Sequence, residues 1–138
     1  MFEKKILHIL LVEDDEVDVL NVRRAFDKNK ITNPLYVAFN GIQGLDMLRK
    51  GEVPKNRRLV LLDLNMPRMN GIEFLRELRK DSERSIPVVV LTTSDAEKDK
   101  IEAFDLNVAG YLVKPVTFPG FAELMATLNK YWTLVDMP

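Results

Sequence analysis

The chain of 138 residues has no cysteine and one histidine, His8. Without cysteine there can be no disulfides, no thiolate chemistry and no Cys-based zinc site, and one histidine cannot build a metal centre by itself. An excess of one charge is also missing. The 20 lysines and arginines face 21 aspartates and glutamates, for a net charge of -1, so there is no general attraction to nucleic acid or to an anionic membrane. Long hydrophobic runs are absent too, and nothing approaches the roughly 20 apolar residues of a membrane span. The start, MFEKKILHILLV, sets basic residues before a short apolar run, but that run passes straight into EDDE with no small-residue cleavage site. It reads as a strand and not as a secretory signal. The expectation is a cytoplasmic protein of one domain, residues 1–138, without an effector domain and with a short tail at 133–138.

What is present is an alternation. Residues 6–12 (ILHILLV) are a near-continuous apolar run, as in a strand buried on both faces, and His8 within it reads as an edge-of-core residue satisfied by a neighbour. Four acids follow, Glu13 to Glu16, and residues 16–28 then place Val19, Val22, Ala25 and Phe26 on one helical face. KITNP breaks that helix, Leu35 to Phe39 form a second strand, and a helix carrying Ile42, Leu45 and Leu48 runs to Lys50, with Gly51 ending it. After the polar EVPKNRR comes LVLLDLNMPRMNG, residues 59–71. An aliphatic strand here ends in a carboxylate, Asp63, and the turn signals Asn65, Pro67, Asn70 and Gly71 follow. The next helix, 71–80, carries Ile72, Leu75 and Leu78, and polar DSERS leads to a strand over 86–91 that ends in Thr92-Thr93-Ser94-Asp95. A helix with a weak apolar stripe through Ile101, Ala103 and Phe104 comes next. A short strand at 109–113 stops at Lys114-Pro115, and the last helix carries Phe118, Phe121, Leu124, Met125, Leu128 and Trp132.

Five aliphatic strands alternating with five helices predict an α/β fold, a doubly wound parallel sheet covered by helices on both faces. Two strand orders compete for such a chain. In the order 2-1-3-4-5, strands 1 and 3 lie side by side at the switch point, outside whose carboxyl ends ligands bind. Glu13, Asp14 and Asp63 then converge on one crevice, with Thr92 and Lys114 on the same rim. Three carboxylates in contact either raise a pKa or recruit a cation. All-oxygen donors select a hard ion such as Mg2+, which keeps water and phosphate oxygens as further ligands. Mg2+ and Lys114 together balance the three negative charges.

The stretches VEDD, LLDLNMP with a following NG, LTTS and YLVKP, in this order and spacing, resemble the receiver domain of two-component response regulators over essentially the whole chain. The flavodoxin-like order 2-1-3-4-5 is that family's own. The resemblance implies that Asp63 accepts a phosphoryl group from a sensor histidine kinase. It also implies that Asp14 binds Mg2+ directly, Glu13 through water and Asn65 through its backbone carbonyl, beside Asp63. Lys114 would neutralise the phosphoryl oxygens, Thr92 would turn inward as the switch hydroxyl, and Tyr111 would be its aromatic partner. Asn65, Thr93 and Ser94 fall where the family tunes dephosphorylation, and the Lys114–Pro115 peptide is expected to be cis. The implied chemistry is confined to the protein's own phosphorylation and dephosphorylation. Two departures stand out: Glu13 replaces the more usual aspartate, and Thr93 replaces something smaller, which should narrow access to the phosphoryl group.

Output is expected through the domain's surface or through a homodimer built on the fourth helix, fifth strand and fifth helix. LTTSDAEKD and the extended C-terminus resemble more closely the stand-alone receivers that partner phytochrome-type histidine kinases. Other readings fit less well. A flavin-binding protein would need a phosphate loop where the four acids stand, and a haloacid-dehalogenase-like phosphatase would need DxD after the first strand. The alternative is a Mg-dependent phosphotransfer or Toprim-like metalloenzyme, whose Asp-x-Asp is here Asp63-Leu64-Asn65.

Overall fold

A computed structural model describes residues 6–81 and 86–135. Along them run β1 (His8–Val12), α1 (Glu16–Lys28), β2 (Leu35–Ala38), α2 (Gly41–Arg49), β3 (Arg58–Leu62), α3 (Gly71–Lys80), β4 (Val88–Thr92), α4 (Glu97–Asp105), β5 (Gly110–Val113) and α5 (Phe118–Leu134). All strand pairs are parallel, in the order β2-β1-β3-β4-β5. Every residue of β3 and β4 is buried, whereas β2 and β5 are half-exposed edges, as the denser aliphatic runs of the inner strands require.

The period of two along each strand divides the core. Leu10, Val12, Val60, Leu62, Val88 and Val90 pack with Leu45, Leu48, Phe74 and Leu75 of α2 and α3 on one face. Ile9, Leu11, Leu59, Leu61, Val89 and Leu91 pack with α1 and α5 on the other. Register then positions the chemistry. Val12 lies opposite Leu62, and the ladder continues one residue further, the Asp63 N–H donating to the Val12 carbonyl at 3.1 Å. Glu13 and Asp63 therefore emerge side by side at the carboxyl edge.

Several details differ from expectation. Helix α5 continues through Leu134, so the tail begins later than residue 133, and residues 136–138, like 82–85 of the DSERS connection, lie outside the described residues. In α4 only Ala103 is buried, while Ile101 and Phe104 are 54% and 53% exposed. No cis peptide occurs among the described residues; the bond before Pro115 is trans, the isomer favoured by about 0.5–1 kcal/mol. His8 behaves as expected, its Nδ1 lying 3.5 Å from the Tyr36 hydroxyl. No described helix is long and apolar enough to cross a membrane.

Candidate functional site

Glu13, Asp14 and Asp63 offer carboxylate oxygens that all lie within 4.8 Å of one another at the carboxyl ends of β1 and β3. Glu13 is 1% and Asp63 6% exposed, so their charges need partners. The Glu13 carboxylate accepts the Lys114 ammonium at 2.6 Å and the Asp15 N–H at 3.1 Å. Burial pushes the Glu13 carboxyl up to about 7; Lys114 opposes this by hydrogen bond and charge, and the Asp63 charge reinforces it. For Lys114 burial works downward, but its hydrogen bond to Glu13 and the surrounding carboxylates prevail and hold the ammonium above its ordinary value. The three acids supply oxygen only, a donor set that fits a hard divalent cation.

The loop after Asp63 is fixed by close packing. Gly71 opens α3, and a Cβ there would stand 2.6 Å from the Asp63 carbonyl oxygen and 2.7 Å from the Leu64 Cα. Its N–H donates to the Leu64 carbonyl at 3.1 Å. Asn70 caps α3 by accepting the Glu73 N–H at 2.9 Å, while the Glu73 side chain accepts the Asn70 N–H at 3.0 Å. The NG pair thus turns the chain back against the residue that carries the carboxylate. Asp63 Oδ1 accepts the Asn65 N–H at 3.3 Å.

Across the mouth stand the residues that end β4. Thr92 is wholly buried and its Oγ1 accepts the Ser94 N–H at 3.3 Å. Thr93 is exposed, and its Oγ1 lies 3.5 Å from the Asn65 Nδ2, so the two side chains meet at the rim. The Ser94 hydroxyl donates to Asp99, and the Tyr111 hydroxyl donates to the Ser94 carbonyl at 2.9 Å. Tyr111 thereby holds the loop between β4 and α4. Glu13, Asp14, Asp63 and Lys114 come together; Asn65 and Thr93 meet at the rim; Thr92, Ser94 and Tyr111 form a separate hydrogen-bonded chain beside them. Lys114 is nonetheless engaged differently from expectation. Its Nζ bonds Glu13 and Asp18, the latter at 3.0 Å, and it influences Asp63 through charge.

Asp18 is the partner of Lys114 that sequence reasoning missed. It lies in the first turn of α1, where an acid is already explained by the helix dipole, so nothing local marked it as a partner for a residue 96 positions away.

Residues 9–129 match the family model described as the response regulator receiver domain. The chain is 36% identical over 127 residues to a probable methanogenesis regulatory protein, FilR2, of Methanothrix harundinacea, covering 90% of this chain and 82% of that protein. It is 34% identical over 128 residues to the response regulator Rcp1 of a Synechocystis strain, covering 90% and 87%. Among solved structures, the phosphorylated cyanobacterial phytochrome response regulator RcpA superposes with a TM-score of 0.86 at 30% identity, covering 97% of this chain and 99% of that one. The Mn2+-bound form of Rcp1 superposes with a TM-score of 0.83 at 34% identity, covering 96% and 99%.

Proposed function

Given that the chain belongs to the response regulator receiver domain family, we propose that Asp63 is its phosphoacceptor, charged by a sensor histidine kinase in a Mg2+-dependent transfer. The observation that carries this reading is the convergence of Glu13, Asp14 and Asp63 within 4.8 Å, beside the buried Lys114. A carboxylate oxygen of Asp63 attacks phosphorus, the bond from phosphorus to the donor breaks, and an acyl phosphate results. Glu13, Asp14, Asp63 and the Asn65 backbone carbonyl would hold Mg2+, which supplies positive charge to the phosphoryl oxygens. That the Rcp1 structure is a Mn2+-bound form supports a divalent cation at the equivalent place.

Phosphorylation replaces one negative charge by about two. Lys114 is the cation at hand, and the Thr92 hydroxyl is the donor that can turn toward the new oxygens, trading its bond from the Ser94 N–H. Ser94 is also bonded to Tyr111, so a move of Thr92 is passed to the loop between β4 and α4. The exposed Ile101, Phe104, Val113 and Tyr131 lie on α4, β5 and α5, and we read this face as the one through which the signal leaves, including by homodimerisation. The likeness to RcpA, a cyanobacterial phytochrome response regulator, favours a phytochrome-type kinase as partner. The rival metalloenzyme reading finds no support in the family match.

The test is incubation with acetyl phosphate or phosphoramidate and Mg2+, with intact mass as readout. The protein is expected to gain one phosphoryl group, and Asp63→Asn to gain none. Failure of the unaltered protein to take up phosphoryl would overturn the assignment.

A further inference from the structure

A lysine ammonium carries three N–H donors. Lys114 commits one to the Glu13 carboxylate at 2.6 Å and one to Asp18 at 3.0 Å, and among the described residues none goes to Asp63. The ammonium therefore rests on Glu13 and Asp18, and its side chain is only 8% exposed there. Its backbone is fixed. The Lys114 N–H donates to the Thr92 carbonyl at 2.7 Å and extends the ladder between β4 and β5, so a change of partner is left to the side chain.

The helix dipole explains an acid in the first turn of α1 but not the direction in which this one points. Glu16 of the same turn is exposed, whereas Asp18 is turned inward onto Lys114. Asp15 accepts the Val17 N–H at 2.8 Å and the Asp18 N–H at 3.3 Å, which fixes the turn that presents the Asp18 carboxylate. A cavity of about 500 Å3 opens at the same place, with Glu13, Asp18, Asn21, Thr93 and Lys114 among its lining residues. The lysine side chain thus has room to change partner without displacing the core.

We propose that Asp18 is a positioning residue that holds Lys114 back from Asp63 until the phosphoryl group arrives, an inference that rests on Asp63 being the phosphoacceptor. Before transfer, Asp18 and Asp63 each offer one carboxylate, and the ammonium stays where it is bonded. After transfer the single charge on Asp63 has become about two. Lys114 then leaves Asp18 for a phosphoryl oxygen and keeps Glu13, whose bond is the shorter and the more buried. The released Asp18 is partly exposed and takes up water, so the exchange strands no charge in the core. Asp18 in this way sets how readily the site accepts a phosphoryl-like anion, acting through Lys114.

A double-mutant cycle on Asp18 and Lys114 tests this, with Mg2+ and beryllofluoride standing in for the phosphoryl group and amide resonances of Thr92 and Thr93 reporting binding by NMR. Asp18→Asn is expected to bind beryllofluoride about two- to fivefold more tightly than the unaltered protein, as the loss of one partly exposed ion pair allows. Asp18→Glu keeps the charge and should stay within about twofold. In Lys114→Met, adding Asp18→Asn should change nothing, whereas an effect exerted through α1 alone would persist. The metal-free protein supplies a second readout that does not need Lys114→Met to fold: the Lys114 ammonium 15N resonance should shift in Asp18→Asn before any anion is added. Equal or weaker binding by Asp18→Asn, the same gain in the Lys114→Met background, or an unmoved Lys114 resonance would overturn the proposal while leaving Asp63 as acceptor. No binding of beryllofluoride by the unaltered protein would overturn the assignment of Asp63, and the proposal with it.

Discussion

Replacing Gly71 by alanine puts a methyl group where the fold leaves no room. The new Cβ would meet the Asp63 carbonyl oxygen at 2.6 Å and the Leu64 Cα and Cδ2 at 2.7 Å. Two of the three atoms are backbone and cannot rotate away, so the loop carrying Asp63 must shift by several tenths of an ångström. Alanine is worth about 0.5–1 kcal/mol over glycine in a helix, which partly offsets the strain. Overpacking a well-filled site costs about 1–3 kcal/mol, so a net loss of about 1–2 kcal/mol is expected in urea denaturation. The carboxylate moves with its backbone. Since about 1 Å of misplacement can cost about a hundredfold in rate, a shift of roughly half that size should slow phosphoryl uptake from acetyl phosphate about tenfold. Gly110→Ala is the control, because its Cβ would meet only Val89 Cγ1, at 3.9 Å, and both stability and rate should stay near those of the unaltered protein. A Gly71→Ala protein as stable as the parent, with unchanged uptake, would refute the view that this close approach positions Asp63.

Asp18→Asn keeps the side chain's shape but weakens its hold on Lys114; because Asp18 is partly exposed, the pair is worth about 0.5–1 kcal/mol, and uptake should quicken by about two- to fivefold as Lys114 is released toward Asp63. Slower uptake would show that Asp18 aids Lys114 instead of competing for it. Because burial raises the Glu13 carboxyl to about 7, Mg2+ must displace a proton below that pH, and calorimetric affinity should climb between pH 6 and 8 instead of levelling near 5. The folded state also holds this proton more tightly than the unfolded chain. The metal-free stability it contributes is therefore fully present below the ordinary value of 4.5 and lost as pH rises through about 7, which thermal denaturation without metal can follow. Thr93→Ala opens the rim opposite Asn65 and should raise the rate of phosphotransfer or of hydrolysis; identical rates for both would remove Thr93 from the site.

By itself the sequence determined the element order, because periodicity and caps are local. The run Val19, Val22, Ala25 and Phe26 placed α1 at the residues where it is found, and α3 likewise begins at Gly71 and ends at Lys80. It also determined that Glu13, Asp14 and Asp63 end strands, and hence that they share an edge once β1 and β3 are neighbours. Which strands are neighbours was not local information. Periodicity alone left two orders open; the likeness to receivers pointed to one, and the pairing of Val12 with Leu62 realises it. The weak stripe of α4 was legible, but not that Ile101 and Phe104 would both face outward.

Only the tertiary structure decided the partners. Asp18 meets Lys114 across 96 residues, Tyr111 reaches the Ser94 carbonyl instead of staying an ordinary strand residue, and Gly71 is required by the Asp63 backbone and not by a turn conformation. A side chain's period tells which face it occupies, but what it touches there is fixed by atoms distant in the chain, whose positions exist only once the layers have packed.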